Sequence, residues 1–96
     1  MAMQIGTCLI TLQLYGVNSL KEKRRVLKPV LSRLPKEFNI AAAEVDHNDV
    51  WRTAVIGLAV IGNDTAYLHA KLEKAVAWIE RQRLDASVEH YSIEFR

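Results

Sequence analysis

The densest charge in this chain lies in a basic segment, SLKEKRRVLK, at residues 19–28. One acid, Glu22, accompanies the cations there, whereas acids and bases are nearly balanced over the rest of the chain. Guanidinium and ammonium groups pair with phosphate oxygens, so this segment could bind nucleic acid. The alternative is the solvated side of a helix. The predicted nucleic-acid-binding residues are Lys21, Lys23, Arg24, Arg25 and Lys28.

The spacing of these cations predicts one charged face on a helix. At 100° per residue, all of them except Lys23 fall within a sector of about 100°. Lys23 lies near the apolar edge, so its ammonium would have to extend along that edge to reach water. The cluster also occupies a helix N-terminus, where cations oppose the helix dipole. This unfavourable placement is the strongest indication in the sequence that the charge has a function.

A second candidate constellation is EVDHNDVW at residues 44–51. Glu44 and Asp46 are predicted to point to the same side of a strand, about 7 Å apart. Paired carboxylates could perform acid–base chemistry, or join His47 to hold a metal. Because His69 and His90 are distant in sequence, nothing supplies further ligands. Asp and Asn also favour turns, so a structural role is the preferred interpretation. No catalytic residue, metal or cofactor is predicted.

A possible second binding surface lies further along the chain, in a segment with helical periodicity. Aromatic side chains among cations can stack on bases while the cations pair with phosphates. The competing interpretation, which we favour, is that the tryptophan in this set packs on a neighbouring element. The residues of this possible second surface are Tyr67, Lys71, Lys74, Trp78 and Arg81.

Composition describes an ordinary globular chain. The 96 residues carry a net charge of +2, and 1–96 is predicted to be a single domain. Cys8 is the only cysteine and alternates with apolar residues, so it is predicted to be buried and to form no internal disulfide. No signal peptide or membrane-spanning segment is evident, which favours a cytoplasmic protein with no membrane partner.

The hydrophobic pattern predicts six elements in the order β-α-β-β-α-β. A strand covers 3–15, and a capping box formed by Ser19 and Glu22 begins a helix. Pro29 is predicted to kink this helix, and Pro35 to end it at Leu34. The other predicted elements are strands at 38–47, 50–62 and 88–95, and a helix from a cap at 63–65 to about residue 83.

This order of elements predicts an α+β, ferredoxin-like fold. Right-handed crossovers give a four-stranded antiparallel sheet of order 4-1-3-2 with both helices on one face. The third strand is apolar on both sides, which predicts a cover on the face away from the helices. We expect a second copy of the chain to supply this cover. The predicted interface residues are Val55, Ala59 and Ile61.

The segments SLKEKRRVLK, AEVDHNDVW, IGLAVIGND and HYSIEF together resemble the YlxP-like family of small bacterial proteins of unknown function. The similarity runs from about Met3 to Phe95, and the chain departs from the family pattern at Pro29. The resemblance implies a ferredoxin-like fold. Genes of this family often lie among those for translation initiation and ribosome maturation factors, which implies work near RNA or the ribosome.

These observations predict a non-enzymatic, homodimeric accessory protein that binds RNA or a ribosomal particle through its first helix. The third strand lacks the aromatic residues with which an RNA-recognition motif stacks bases. Recognition is therefore expected to depend on shape and backbone. The alternative is a dimeric regulatory module that binds a small ligand at its interface.

Overall fold

The computed structural model describes residues 2–82 and 85–96. It confirms the predicted order of elements. The bounds are β1 (Gln4–Leu14), α1 (Leu20–Phe38), β2 (Ala41–Asp46), β3 (Thr53–Gly62), α2 (Thr65–Arg81) and β4 (Ala86–Phe95).

The strands form one antiparallel sheet of order β2-β3-β1-β4, which is the predicted order counted from the other edge. Alternation along the central strands decides which face is covered. Ile10 and Leu12 of β1 and Ile56 and Leu58 of β3 are buried under the helices. The helices contribute buried leucines at helical spacing to the same core. The fold is therefore ferredoxin-like, with a second sheet face that no element of the described chain covers.

Helix α1 continues past the residue where the sequence predicted its end. Pro35 lies inside the helix, which ends at Phe38. Asn39 then adopts a left-handed φ of 54° and donates its backbone N–H to Pro35 O at 2.9 Å. The local bias of a residue before proline is outweighed here by packing, because Leu34 is fully buried in the core. Pro29 also lies within α1, and the kink predicted there stays a prediction.

Both strands of the hairpin, β2 and β3, are shorter than the sequence predicted. Residue 38 belongs to α1, so β2 begins only at Ala41, and β3 begins at Thr53. The connection comprises residues 47–52, which we call the hairpin loop. The predicted N-cap of α2 is confirmed, since the Asp64 side chain accepts a hydrogen bond from Tyr67 N at 3.2 Å. The predicted end of α2 at about residue 83 lies outside the described residues.

Candidate nucleic-acid interface

Four of the five predicted binding residues form one exposed patch on α1. Lys21, Arg24, Arg25 and Lys28, here called the basic stripe, are all exposed. They occupy the first three turns of the helix and face solvent. Within residues 2–82 and 85–96, none of the four takes part in an ion pair. The basic stripe is therefore free to receive an anionic partner.

Glu22, the acid within the basic segment, stabilises the start of the helix. Its Oε2 accepts a hydrogen bond from Asn18 N at 2.6 Å, and its own N–H donates to Ser19 Oγ at 3.1 Å. These bonds satisfy backbone donors that every helix N-terminus leaves free. Glu22 is the one acid among the cations of the basic segment, so its carboxylate could have neutralised part of their charge. That carboxylate is instead committed to the cap.

Lys23 does not belong to the basic stripe. Its side chain is 1% exposed and its ammonium points inward, not along the apolar edge to water as predicted. Lys23 Nζ lies 2.7 Å from Glu44 Oε2 and donates to His47 O at 2.7 Å and Val50 O at 2.6 Å. Such a full set of partners is what allows a lysine to be buried. Lys23 therefore fastens the hairpin loop to α1 and offers no contact to a nucleic acid.

Glu44 and Asp46 do not share a face of β2, contrary to the prediction. A register shift puts Glu44 opposite Ile56, which is buried under the helices, and Asp46 opposite Val55. Asp46 Oδ1 accepts from His47 N at 2.7 Å, at a residue with φ of 54°. Both carboxylates thus hold the hairpin. No group of three or more His, Cys, Asp or Glu suited to a metal occurs in the described part of the chain.

The possible second surface on α2 is divided by burial. Trp78 is only 9% exposed, and its ring packs edge-on against Phe38 with centroids 6.0 Å apart. Arg33 lies over the same ring, with its Cζ 5.1 Å from the centroid. Trp78 is therefore a core residue, as the favoured interpretation expected. Among its companions, Lys71 is half-buried, whereas Tyr67, Lys74 and Arg81 stay exposed.

Cys8 is a core residue of β1. It is 1% exposed, and burial raises the pKa of its thiol to about 11, with the charge of Glu73 adding to the shift. At neutral pH the group is therefore a protonated thiol, whereas a nucleophilic cysteine needs a thiolate. This agrees with the sequence-based interpretation of Cys8 as a packing residue.

The hairpin loop presents an aromatic side chain that the sequence analysis did not single out. Trp51 is 48% exposed and Val50 is 44% exposed. Leu14 N donates to Arg52 O at 2.7 Å, so the last residue of the loop is hydrogen-bonded to the end of β1. Tyr15, which directly follows the last residue of β1, is 55% exposed. The sequence signal for an exposed Trp51 was its place just after a polar turn, outside any segment whose periodicity predicts burial.

The sheet face away from the helices, here called the outer face, carries the predicted interface residues. Ile61 is 64% exposed, while Val55 and Ala59 are half-buried. A groove of about 430 Å³ crosses this face and is lined by small residues, among them Ala43, Gly57 and Ala59. A Cβ on Gly57 would come within 2.9 Å of Val45 Cγ1. Glycine at this position therefore leaves room for the Val45 side chain of β2 to lie against β3. Leu9, beside the groove, is 51% exposed.

Fold and surface together define a small α+β protein with a ferredoxin-like sheet and an unneutralised basic helix. The chain belongs to the family described as Protein of unknown function (DUF503), whose model matches residues 5–93. It is also similar to Uncharacterized protein YlxP of Bacillus subtilis (strain 168), with 33% identity over 67 residues, covering 70% of this chain and 73% of that protein. The resemblance to the YlxP-like family is thereby confirmed.

Structural comparison found a solved structure described as Structural Genomics, protein YJCS. It matches with a TM-score of 0.49 and 17% identity, covering 94% of this chain and 96% of that one. Within the described residues, no helix has the length and apolar character needed to cross a membrane.

Proposed function

We propose that this protein is a non-enzymatic accessory protein that binds RNA or a ribosomal particle through the basic stripe. The observation that carries the proposal is the set of four exposed cations on one side of a helix N-terminus, without an ion pair among the described residues. These charges oppose the helix dipole in the free protein. Phosphates placed there gain from charge-assisted hydrogen bonds with the cations.

The carboxylates that the sequence suggested for acid–base catalysis are engaged in other contacts. Glu44 is held by Lys23, and Asp46 caps its own turn. A general acid or base needs a carboxyl group that is free to reach a substrate. The carboxylates that the sequence suggested are thus occupied in positioning the hairpin loop, and the proposal assigns them no chemical step.

The experiment for this proposal is a salt titration of binding to a labelled RNA oligonucleotide. Four phosphate contacts give a slope of log affinity against log salt of about −2.8 to −3.6. Affinity should therefore fall roughly 50- to 150-fold between 50 and 200 mM salt. Arg25→Gln should weaken binding to all RNA sequences similarly and make the slope less steep by about one unit.

A matched control lies at the other end of the same helix. Lys36 is exposed in the last turn of α1, so Lys36→Gln removes an equal charge outside the basic stripe. This variant should keep the wild-type slope. A slope near zero in the wild-type protein, or equal losses for Arg25→Gln and Lys36→Gln, would contradict binding through the basic stripe.

We also propose that the protein is a homodimer that buries the outer face. Strands of 10 residues, at about 3.3 Å per residue and about 4.8 Å between strands, give this face an area of roughly 600 Å². That is close to the roughly 800 Å² per partner of a standard interface. The same face also carries exposed apolar side chains, Leu9 and Ile61, and a groove of about 430 Å³ that could receive such side chains from a second copy, as a self-complementary two-fold contact requires.

Replacing Ile61 or Leu9 with lysine should convert the dimer to a monomer. Each change places a charge within an apolar contact, where it has no partner. Sedimentation equilibrium at micromolar concentration measures the mass. Tyr67→Lys, at an apolar residue 63% exposed on α2, is the control and should leave the mass unchanged. A wild-type protein that is already monomeric would exclude the outer face as a self-association surface.

The outer-face groove favours one second candidate function. Its volume of about 430 Å³ falls within the range of roughly 300–1,000 Å³ for small-molecule sites. Its lining is mostly apolar, with Glu94 and Arg96 at the rim. A dimeric regulatory module could enclose a small, largely apolar ligand there. Binding of such a ligand would be nearly independent of salt, which separates it from phosphate binding by the basic stripe.

A further inference from the structure

We propose that Trp51 forms a base-stacking site beside the basic stripe, and that the nucleic acid bound there is single-stranded RNA. This inference rests on the proposed function, because the phosphates of the same strand would be held by the basic stripe. It adds a contact to the bases, which the sequence analysis did not assign. The unpaired base would stack on the indole ring of Trp51.

The exposure of Trp51 is the first argument. The chain has two tryptophans, and the other, Trp78, is packed between the helices at 9% exposure. Trp51 is 48% exposed in a loop. Large aromatic side chains normally gain free energy from burial, so a half-exposed tryptophan keeps surface available for a partner.

The rigidity of the hairpin loop is the second argument. Lys23 holds Val50 O at 2.6 Å, and Leu14 N holds Arg52 O at 2.7 Å. The backbone is therefore fixed on both sides of Trp51. Burying an ammonium group carries a desolvation penalty that an apolar residue at position 23 would avoid. In return, the loop presents Trp51 in a defined place, which lowers the entropy lost on binding.

Position relative to the basic stripe is the third argument. Lys23 belongs to the same two turns of α1 as Lys21, Arg24 and Arg25, and its ammonium donates to the backbone oxygens of residues 47 and 50, so the hairpin loop lies against the start of that helix. The exposed Tyr15 lies at the same end of the sheet, because β1 leaves the sheet where Arg52 enters β3. Cations and exposed aromatic rings therefore meet at one end of the molecule.

The chemistry of this combination selects single strands. A positively charged surface that follows the backbone, with aromatic rings for the bases, is the arrangement that binds single-stranded nucleic acid with little sequence preference. In a duplex the bases are already stacked and paired, so Trp51 could not reach their faces. An unpaired loop, bulge or end in RNA supplies both the phosphates and a free base.

The test measures affinity by fluorescence anisotropy for a labelled single-stranded RNA and for a blunt-ended, fully paired RNA duplex of equal phosphate number. Trp51→Ala should weaken binding to the single strand by about 5- to 150-fold, the loss typical of one base–aromatic stack. It should leave duplex affinity and the salt slope unchanged, because the phosphate contacts remain. Trp51→Phe should keep most of the affinity, whereas Trp51→Leu, which is apolar but not aromatic, should not.

The matched control is Tyr91→Ala, which removes an exposed aromatic from β4, outside the hairpin loop, the basic stripe and the possible second surface. It should leave both affinities unchanged. If Trp51→Ala and Trp51→Leu both bind the single strand as the wild type does, there is no stacking site and Trp51 serves another partner. Equal losses for single strand and duplex would also overturn the inference.

The two proposals fail in different ways. A salt slope near zero in the wild-type protein would remove RNA binding by the basic stripe, and the stacking site with it. A steep slope that Arg25→Gln reduces, combined with full affinity in Trp51→Ala, would leave the basic stripe in place and remove only the stacking site. Thermal unfolding of each variant, compared with the wild type, shows that a loss of affinity is not a loss of fold.

Discussion

Lys23→Met should lower the free energy of unfolding by about 3 kcal/mol, at the lower end of the cost of breaking a buried ion pair. The change leaves Glu44 without a cation and both His47 O and Val50 O without a donor. Because the Glu44 side chain is 17% exposed, water compensates part of the loss. For a domain of this size, the melting temperature should fall by roughly 12–24 °C. Chemical denaturation measures the free energy directly.

Two further variants make the result specific. Lys21→Met removes an exposed cation from the same turn of α1 and should change stability by less than about 0.5 kcal/mol. The double variant Lys23→Met with Glu44→Leu should recover much of the loss, since no unpaired buried charge remains. If Lys23→Met were as stable as the wild type, the ammonium of Lys23 could not be buried with these partners.

Reversing the charge of the basic stripe should nearly abolish RNA binding. Four phosphate contacts on a single strand give a slope of about −2.8, so lowering the salt concentration from 1 M to 0.1 M raises affinity roughly 600-fold. This gain is the contribution of the four contacts at 0.1 M salt. Changing all four residues to glutamate removes this gain and adds repulsion. The free energy of unfolding should be retained or rise slightly, because acidic side chains near a helix N-terminus interact favourably with the helix dipole. Anisotropy and co-sedimentation with ribosomal particles measure the binding.

The control for this variant carries the same total charge. Four exposed cations elsewhere are changed to glutamate, and they include two members of the possible second surface. These four residues are Lys36, Lys74, Arg81 and Arg96. If affinity falls equally in both variants, the basic stripe has no special role, and either net charge or the exposed part of α2 accounts for the binding. If the stripe variant folds and still co-sediments, the basic stripe is a solvated face and binding must be sought on the exposed part of α2.

Local patterns predicted the elements of this protein well. The alternation in β1 and β3, the capping box of Ser19 and Glu22 and the cap at Asp64 all appear in the structure as expected. Each of these signals depends on residues within about four positions of one another, so the sequence contains the whole interaction. The order of the elements then restricts the topology to few choices. The exposed basic stripe followed from helical spacing alone.

The fate of single side chains was decided by contacts between elements. Lys23 is buried because the β2 residue Glu44 and the hairpin loop, more than twenty residues later, together offer it three oxygen atoms. Glu44 and Asp46 are separated by a register shift against β3. No spacing within a segment contains such information, because it arises only when distant segments pack.

Burial likewise had to come from the tertiary structure. Pro35 lies inside α1 because the residue before it, Leu34, is buried in the core, and Phe38 beyond it packs against the ring of Trp78. The packing energy of these contacts exceeds the local preference that would have ended the helix. The same packing distinguishes the two tryptophans, which sequence periodicity could not do. Trp78 fills the space between the helices, and Trp51 is left half-exposed in the hairpin loop.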